Sequence, residues 1–214
     1  MEETGKLYVM ISKTDTGIGG LIRKITGFPY NHVSMTLDPT FRTWVSFARF
    51  IHDTPMYGGF LTETAERFLA KGQDVDVHIF ALDLIPQRFK ELKELFSKAG
   101  HECTDYIYNY FELLTLVFGI QFPIRGAYTC LGFANRIMGT NYKTIQELDR
   151  NMQSMLYYTG TLNELAPDSG DRSDIYFPRL GPIRGIYHTV LTFGELIRRT
   201  FTKQTTPASP TAVN

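Results

Sequence analysis

Two cysteines in 214 residues, and 22 basic side chains balanced by 22 acidic ones, deny this chain several common means of organisation. Two thiols make no disulfide framework of the kind that staples small secreted domains. Zero formal net charge supplies no global field to gather polyanions, so no nucleic-acid partner is expected. The opening Met1-Glu2-Glu3-Thr4-Gly5-Lys6 is acidic and lacks the basic start and apolar run of a secretion signal, which makes a reducing cytoplasm the expected location. The longest apolar-rich stretch, Phe111 to Ile120, is about half of what a spanning helix needs and contains Glu112 and Thr115, so no transmembrane segment is expected. No Cys/His cluster has zinc spacing and no His-Glu-x-x-His occurs, so neither a metal nor another cofactor is expected.

What is present reads as one domain over residues 1–201, followed by a polar Pro/Thr/Ser-rich stretch, 202–214, expected to be disordered. Lys6 to Ser12 reads as a buried strand. Thr14 to Gly20 reads as a Gly-rich loop without the Lys-Ser/Thr ending of a phosphate loop, and Leu21 to Gly27 as a short amphipathic helix. In Asn31-His32-Val33-Ser34-Met35-Thr36-Leu37, Val33, Met35 and Leu37 make one face and His32, Ser34 and Thr36 the other. Asp38-Pro39 is a turn, and Thr43 to Ala48 is the returning strand of a hairpin, on which Ser46 can share a face with His32 if the register has the right parity. Val75 to Leu82 reads as a further strand with one core face, and Pro86 to Gly100 as an amphipathic helix. The aromatic run Tyr106 to Leu114 is expected to be a core helix packing beside Cys130, with an aromatic-lined pocket or a lipid-facing patch as the alternative. Tyr187 to Phe201 is a last amphipathic segment, with Val190, Phe193, Leu196 and Ile197 at helical spacing.

The chemistry centres on Cys130. Thr129 suits a helix N-cap and Gly139 a C-terminal stop, so the thiol stands in the first turn, where a nearby imidazole can convert it to a nucleophilic thiolate. The alternative is an inert core cysteine, since Cys130, Phe133, Ala134 and Ile137 share one stripe. Cys103, beside Glu102 and Asp105, is the poorer nucleophile. His52 with Asp53 is a backup base, and His78, His101 and His188 read as structural or exposed.

The set Tyr30-Asn31-His32-Val33-Ser34, Ser46-Phe47-Ala48-Arg49 and Tyr128-Thr129-Cys130-Leu131-Gly132-Phe133 resembles the circularly permuted branch of the papain-like, NlpC-type hydrolases, in which the His strand precedes the Cys helix. The resemblance covers roughly the first two thirds of the chain. It implies an α+β fold, an antiparallel sheet packed against helices, with Cys130 as nucleophile, His32 as base and a third polar residue, Ser46, as orienter. It further implies a cysteine amidase or peptidase acting on a peptide, peptidoglycan-like or acyl substrate. A thioester-forming acyltransferase or lipid hydrolase is a second expectation, and a catalytically weak binding module of the same fold a third.

Overall fold

A computed structural model describes residues 5–14, 17–54, 56–100, 105–116 and 120–202. The expectations for His101, Cys103 and the stretch after residue 202 lie outside the described residues. In chain order the elements are β1 (Gly5–Ser12), α1 (Gly17–Thr26), β2 (His32–Thr36), β3 (Thr43–Arg49), β4 (Gly58–Thr64), α2 (Ala65–Phe68), β5 (Asp76–Leu84), α3 (Pro86–Phe96), β6 (Ile107–Tyr108), α4 (Tyr110–Leu116), β7 (Ala127–Tyr128), α5 (Cys130–Met138), α6 (Ile145–Asn151), β8 (Leu156–Thr161), α7 (Leu162–Leu165) and α8 (Pro182–Phe201). Among these described elements, no helix is long and apolar enough to cross a membrane.

The strands form one sheet in the order β7-β6-β4-β3-β2-β1-β5-β8. The class is α+β. Every pairing is antiparallel except β6 with β7, so the sheet is mixed where a wholly antiparallel one was expected. The exception follows from connectivity: two strands joined by a long crossover, here containing α4, can run in parallel, whereas tight turns force antiparallel neighbours.

Strand alternation fills both faces of the sheet. Leu7, Val9, Ile11, Val33, Met35, Val45 and Phe47 point into one core, completed by Phe133, Ala134 and Ile137 of α5. Tyr8, Met10, Trp44, Val77 and Ile79 point into the other, with Leu162 of α7. Phe80 joins the first core while its neighbours Val77 and Ile79 join the second, so β5 has two core faces, not one. The Gly-rich segment also differs from expectation, since α1 already begins at Gly17. Ile18, Ile22 and Ile25 recur at i, i+4 and i+7, and that helical period runs through the glycines.

Helix α5 is built as its sequence implies. Thr129 has extended backbone angles and its side chain accepts from the Gly132 N–H, which satisfies one of the donors orphaned at a helix start. At the other end Gly139 takes the left-handed conformation, φ 69°, that ends helices without a Cβ clash. Arg88 of α3 donates to the Ile137 carbonyl at 3.0 Å, a cation placed at the negative end of the helix. Gly139→Ala is therefore expected to lower stability by about 1 kcal/mol, from the strain of a Cβ at positive φ. Urea unfolding followed by circular dichroism checks this, with the midpoint falling and the slope unchanged.

Candidate active site

His32 is the first residue of β2 and Cys130 the first residue of α5. Both reactive groups stand at element ends, where a side chain reaches past the packed layer. The parallel pair Tyr108↔Tyr128 joins β6 to β7, two residues before the cysteine, and the Asn109 N–H donates to the Tyr128 carbonyl at 3.0 Å. These bonds fix the entry to α5 beside the strand that carries Tyr108.

The structure brings His32 and Cys130 together: the thiol lies within hydrogen-bonding reach of the imidazole. The Nε2 atom of His32 lies 2.9 Å from Oε2 of Glu63. An ionised carboxylate only accepts, so Nε2 carries a proton and donates, leaving Nδ1 to meet the sulfur. Glu63 is the residue that sequence reasoning missed. Its Oε2 also accepts from the hydroxyls of Ser34, at 3.0 Å, and Ser46. Ser46, expected to orient the imidazole directly, thus reaches it only through Glu63. The register explains the arrangement, because Trp44 pairs with Glu63 and Ser46 with Leu61, so Ser46 and Glu63 share a sheet face with His32 and Ser34.

His32, Glu63 and Cys130 are all buried. Burial opposes the charge on His32, but the Glu63 carboxylate overcomes it and, with the hydrogen bond to Cys130, holds the imidazole protonated, raising its pKa to about 10. Burial likewise works against an ionised Glu63. The charge and hydrogen bond of His32, then Arg67 and Ser46, pull its pKa down to about 2. The Nε atom of Arg67 lies 3.7 Å from Glu63 Oε1, the i, i+4 spacing of strand end to short helix.

A cavity of about 310 Å³ opens onto these groups. Its wall includes Cys130, His32 and Glu63, the aromatic rings of Phe68 and Tyr108, and Tyr176 from the C-terminal third. Tyr108 lines the same cavity as Cys130. Burial first, then Cys130, Tyr110, Glu112 and Glu63, keeps the phenol protonated well above its usual range, hence a neutral donor.

The remaining candidates have structural partners. The Nδ1 atom of His52 lies 2.9 Å from the Tyr176 carbonyl, and Asp53 accepts from the Leu180 and Gly181 N–H groups. His78 pairs with Asp149 at 2.8 Å, and His188 stacks on Tyr57. Among the described residues no His/Cys/Asp/Glu group is arranged to hold a metal ion. No family model matches the chain, and neither does any curated protein or solved structure.

The Glu63–His32 pair makes stability depend on pH in a defined sense. The His32 contribution is complete below its unfolded value of 6.5 and is lost as pH rises through about 10. The Glu63 contribution is complete above 4.5 and is lost as pH falls through about 2. Glu63→Gln is expected to cost most between pH 4.5 and 6.5, with the gap to wild type narrowing toward pH 10. It should also lower the His32 pKa by about two units, read from the imidazole Hε1 shift by NMR.

Proposed function

We propose that this chain is a cysteine hydrolase with a papain-like fold of the permuted NlpC type, cleaving an amide or peptide-like bond through an acyl-thioester on Cys130. The observation that carries the reading is the imidazole of His32, held between the Cys130 thiol and the buried carboxylate of Glu63. Nucleophile, base and orienter in hydrogen-bonded series are the parts that covalent acyl transfer requires. A carboxylate, rather than the serine expected from sequence, stabilises the imidazolium strongly, which supports the catalytic reading over that of a weak binding module.

In this mechanism Cys130 attacks as the thiolate beside the His32 imidazolium, which already bears the Nδ1 proton and is held by Glu63. The sulfur attacks the carbonyl carbon, forming a C–S bond and a tetrahedral oxyanion. Two donors suit that oxygen: the backbone N–H of Cys130, orphaned at the start of α5, and the Tyr108 phenol. Tyr8 of β1 takes no part, since it packs against Phe41 in the second core and against Tyr157. As the tetrahedral species collapses, the C–N bond breaks and Nδ1–H protonates the leaving amine. Water then attacks the thioester, giving its proton to His32, the C–S bond breaks, and a carboxylic acid departs.

The apolar part of the cavity wall, with Phe28, Phe47, Phe68, Leu131 and Ile145, also suits an acyl chain, so a lipid hydrolase or acyltransferase is the second reading. Both use the same dyad, and the acceptor decides between them.

Iodoacetamide is expected to alkylate Cys130 in the folded protein at pH 6, with the rate falling at least about tenfold in His32→Ala. Site-resolved mass spectrometry reads the outcome, and a thiol that reacts only on unfolding would sink the proposal. Cys130→Ala should abolish turnover of p-nitrophenyl acetate and of peptide amides, while Cys103→Ala leaves it intact. Tyr108→Phe should lower kcat by roughly a hundredfold with KM little changed. An unchanged kcat would remove Tyr108 from the oxyanion site.

A further inference from the structure

Helix α8 carries its apolar face outward. Along its 20 residues, Ile183, Ile186, Tyr187, Val190, Leu191, Ile197 and Phe201 are exposed, Ile183 and Phe201 by 83 % and 84 %. At 100° per residue these positions, with Gly194 and Arg198 among them, fill one continuous arc of about 140°. The face turned to the body is the less apolar one, with Gly185 and Thr192 buried beside Leu196 and Phe193 partly buried. The apolar surface extends beyond the helix. Phe193 contacts the ring of Phe111, Phe111 contacts Phe122, and Phe122, Leu114 and Ile120 are themselves exposed.

A helix whose outward face is its most hydrophobic one leaves far more apolar surface in water than scattered single residues do, and such a patch marks an interface. Charge decides which occupant fits. From Arg179 to Phe201 the sequence has four arginines, Arg179, Arg184, Arg198 and Arg199, against one acid, Glu195, while the remainder of the chain is net acidic. Arg184 is exposed at one edge of the apolar arc, and Arg198 is exposed within it, between Tyr187 and Leu191, where it pairs with Glu195. Two copies joined stripe to stripe would bring these arginines together, Arg184 against Arg198 if antiparallel and each against itself if parallel. An anionic lipid surface accepts both features, burying the stripe at the acyl boundary while the arginines meet headgroup phosphates.

We infer that α8 is an interfacial anchor, lying in the plane of an anionic membrane with its Ile183–Phe201 stripe immersed. The inference is independent of the chemistry at Cys130. Through Phe193 the helix stacks on Tyr110, whose hydroxyl is buried and lacks a hydrogen-bond partner in the wall of the cavity.

Cosedimentation of the full chain with vesicles tests it. Binding is expected to vesicles of phosphatidylcholine containing 30 % phosphatidylglycerol, taken as a probe composition of about that anionic content, and little to phosphatidylcholine alone. Val190→Asp should weaken it about tenfold, and so should Arg184→Glu or high salt. Val190 is exposed, so the variant is expected to retain the wild-type melting curve. Tyr187→Trp places an indole in the stripe, and its emission should shift to the blue on anionic vesicles above the constant signal of the buried Trp44. No binding to either vesicle, or equal binding to both, overturns the inference. So does a concentration-dependent dimer in sedimentation velocity that Val190→Asp dissolves, which would assign the stripe to a second copy.

Discussion

A carboxylate buried as deeply as that of Glu63 keeps its charge only where the interior supplies what water would have supplied. Here the supply comes from an imidazolium, two hydroxyls and a guanidinium. Arg67 is itself buried and lies 3.5 Å from Asp174, so the cluster of Glu63, His32, Arg67 and Asp174 contains two charges of each sign. Neutrality as a group is the condition for burying any of them. Removing one member leaves its partner charged and uncompensated, which costs more than any single contact contributes.

That cluster exists because of strand register. His32 and Ser34 on β2, Ser46 on β3 and Glu63 on β4 occupy one face of the sheet by alternation, and Glu63 is opposite Trp44. A slip of one residue in β4 would bring Thr62 or Thr64 to that face and turn Glu63 into the core that holds Phe47 and Phe60. The large buried rings on either side resist such a slip. Hydrophobic packing thus sets the polar geometry, and the site inherits its precision from Trp44, Phe47 and Phe60. At the other side of the cleft Gly132 performs a similar service. A Cβ there would stand 3.1 Å from the Thr129 hydroxyl and 3.3 Å from Glu112, so the absence of a side chain lets the cap of α5 form beneath the thiol.

The dyad was legible in the sequence because each half sits in a strong local pattern. Thr129 and Gly139 frame the Cys130 helix, and alternation around His32 marks a half-polar strand. Glu63 was not legible because Gly58-Gly59-Phe60-Leu61-Thr62-Glu63 opens with two glycines, which read as a break, and no local rule says that β3 pairs with it. Only tertiary contact supplies that fact: a Cβ at Gly58 would collide with the Ala48 carbonyl, so the glycine is there for close approach of strands, not for a turn. Helix α8 teaches a related lesson. The period of Val190, Phe193, Leu196 and Ile197 announces a helix, yet Leu196 is buried while Val190 and Ile197 are exposed. Periodicity locates apolar stripes, whereas their direction is decided by what else the core has to accommodate.

The C-terminal third has no recognisable motif, and its place in the site is set by Arg67. Besides the carboxylates of Glu63 and Asp174, this guanidinium meets the ring of Tyr176, 4.5 Å from its centroid, and donates to the Arg49 carbonyl. Thr64 adds a bond to Asp174, and the backbone N–H of His52 donates to the Tyr176 carbonyl. The charge that helps Glu63 stay ionised is thus the same charge that holds Asp174 and the Tyr176 ring, and Tyr176 lines the cavity. Electrostatic support of the imidazolium and closure of one wall of the cleft become a single requirement. An arginine suits it better than a lysine, because a planar fork can face two carboxylates and an aromatic ring at once.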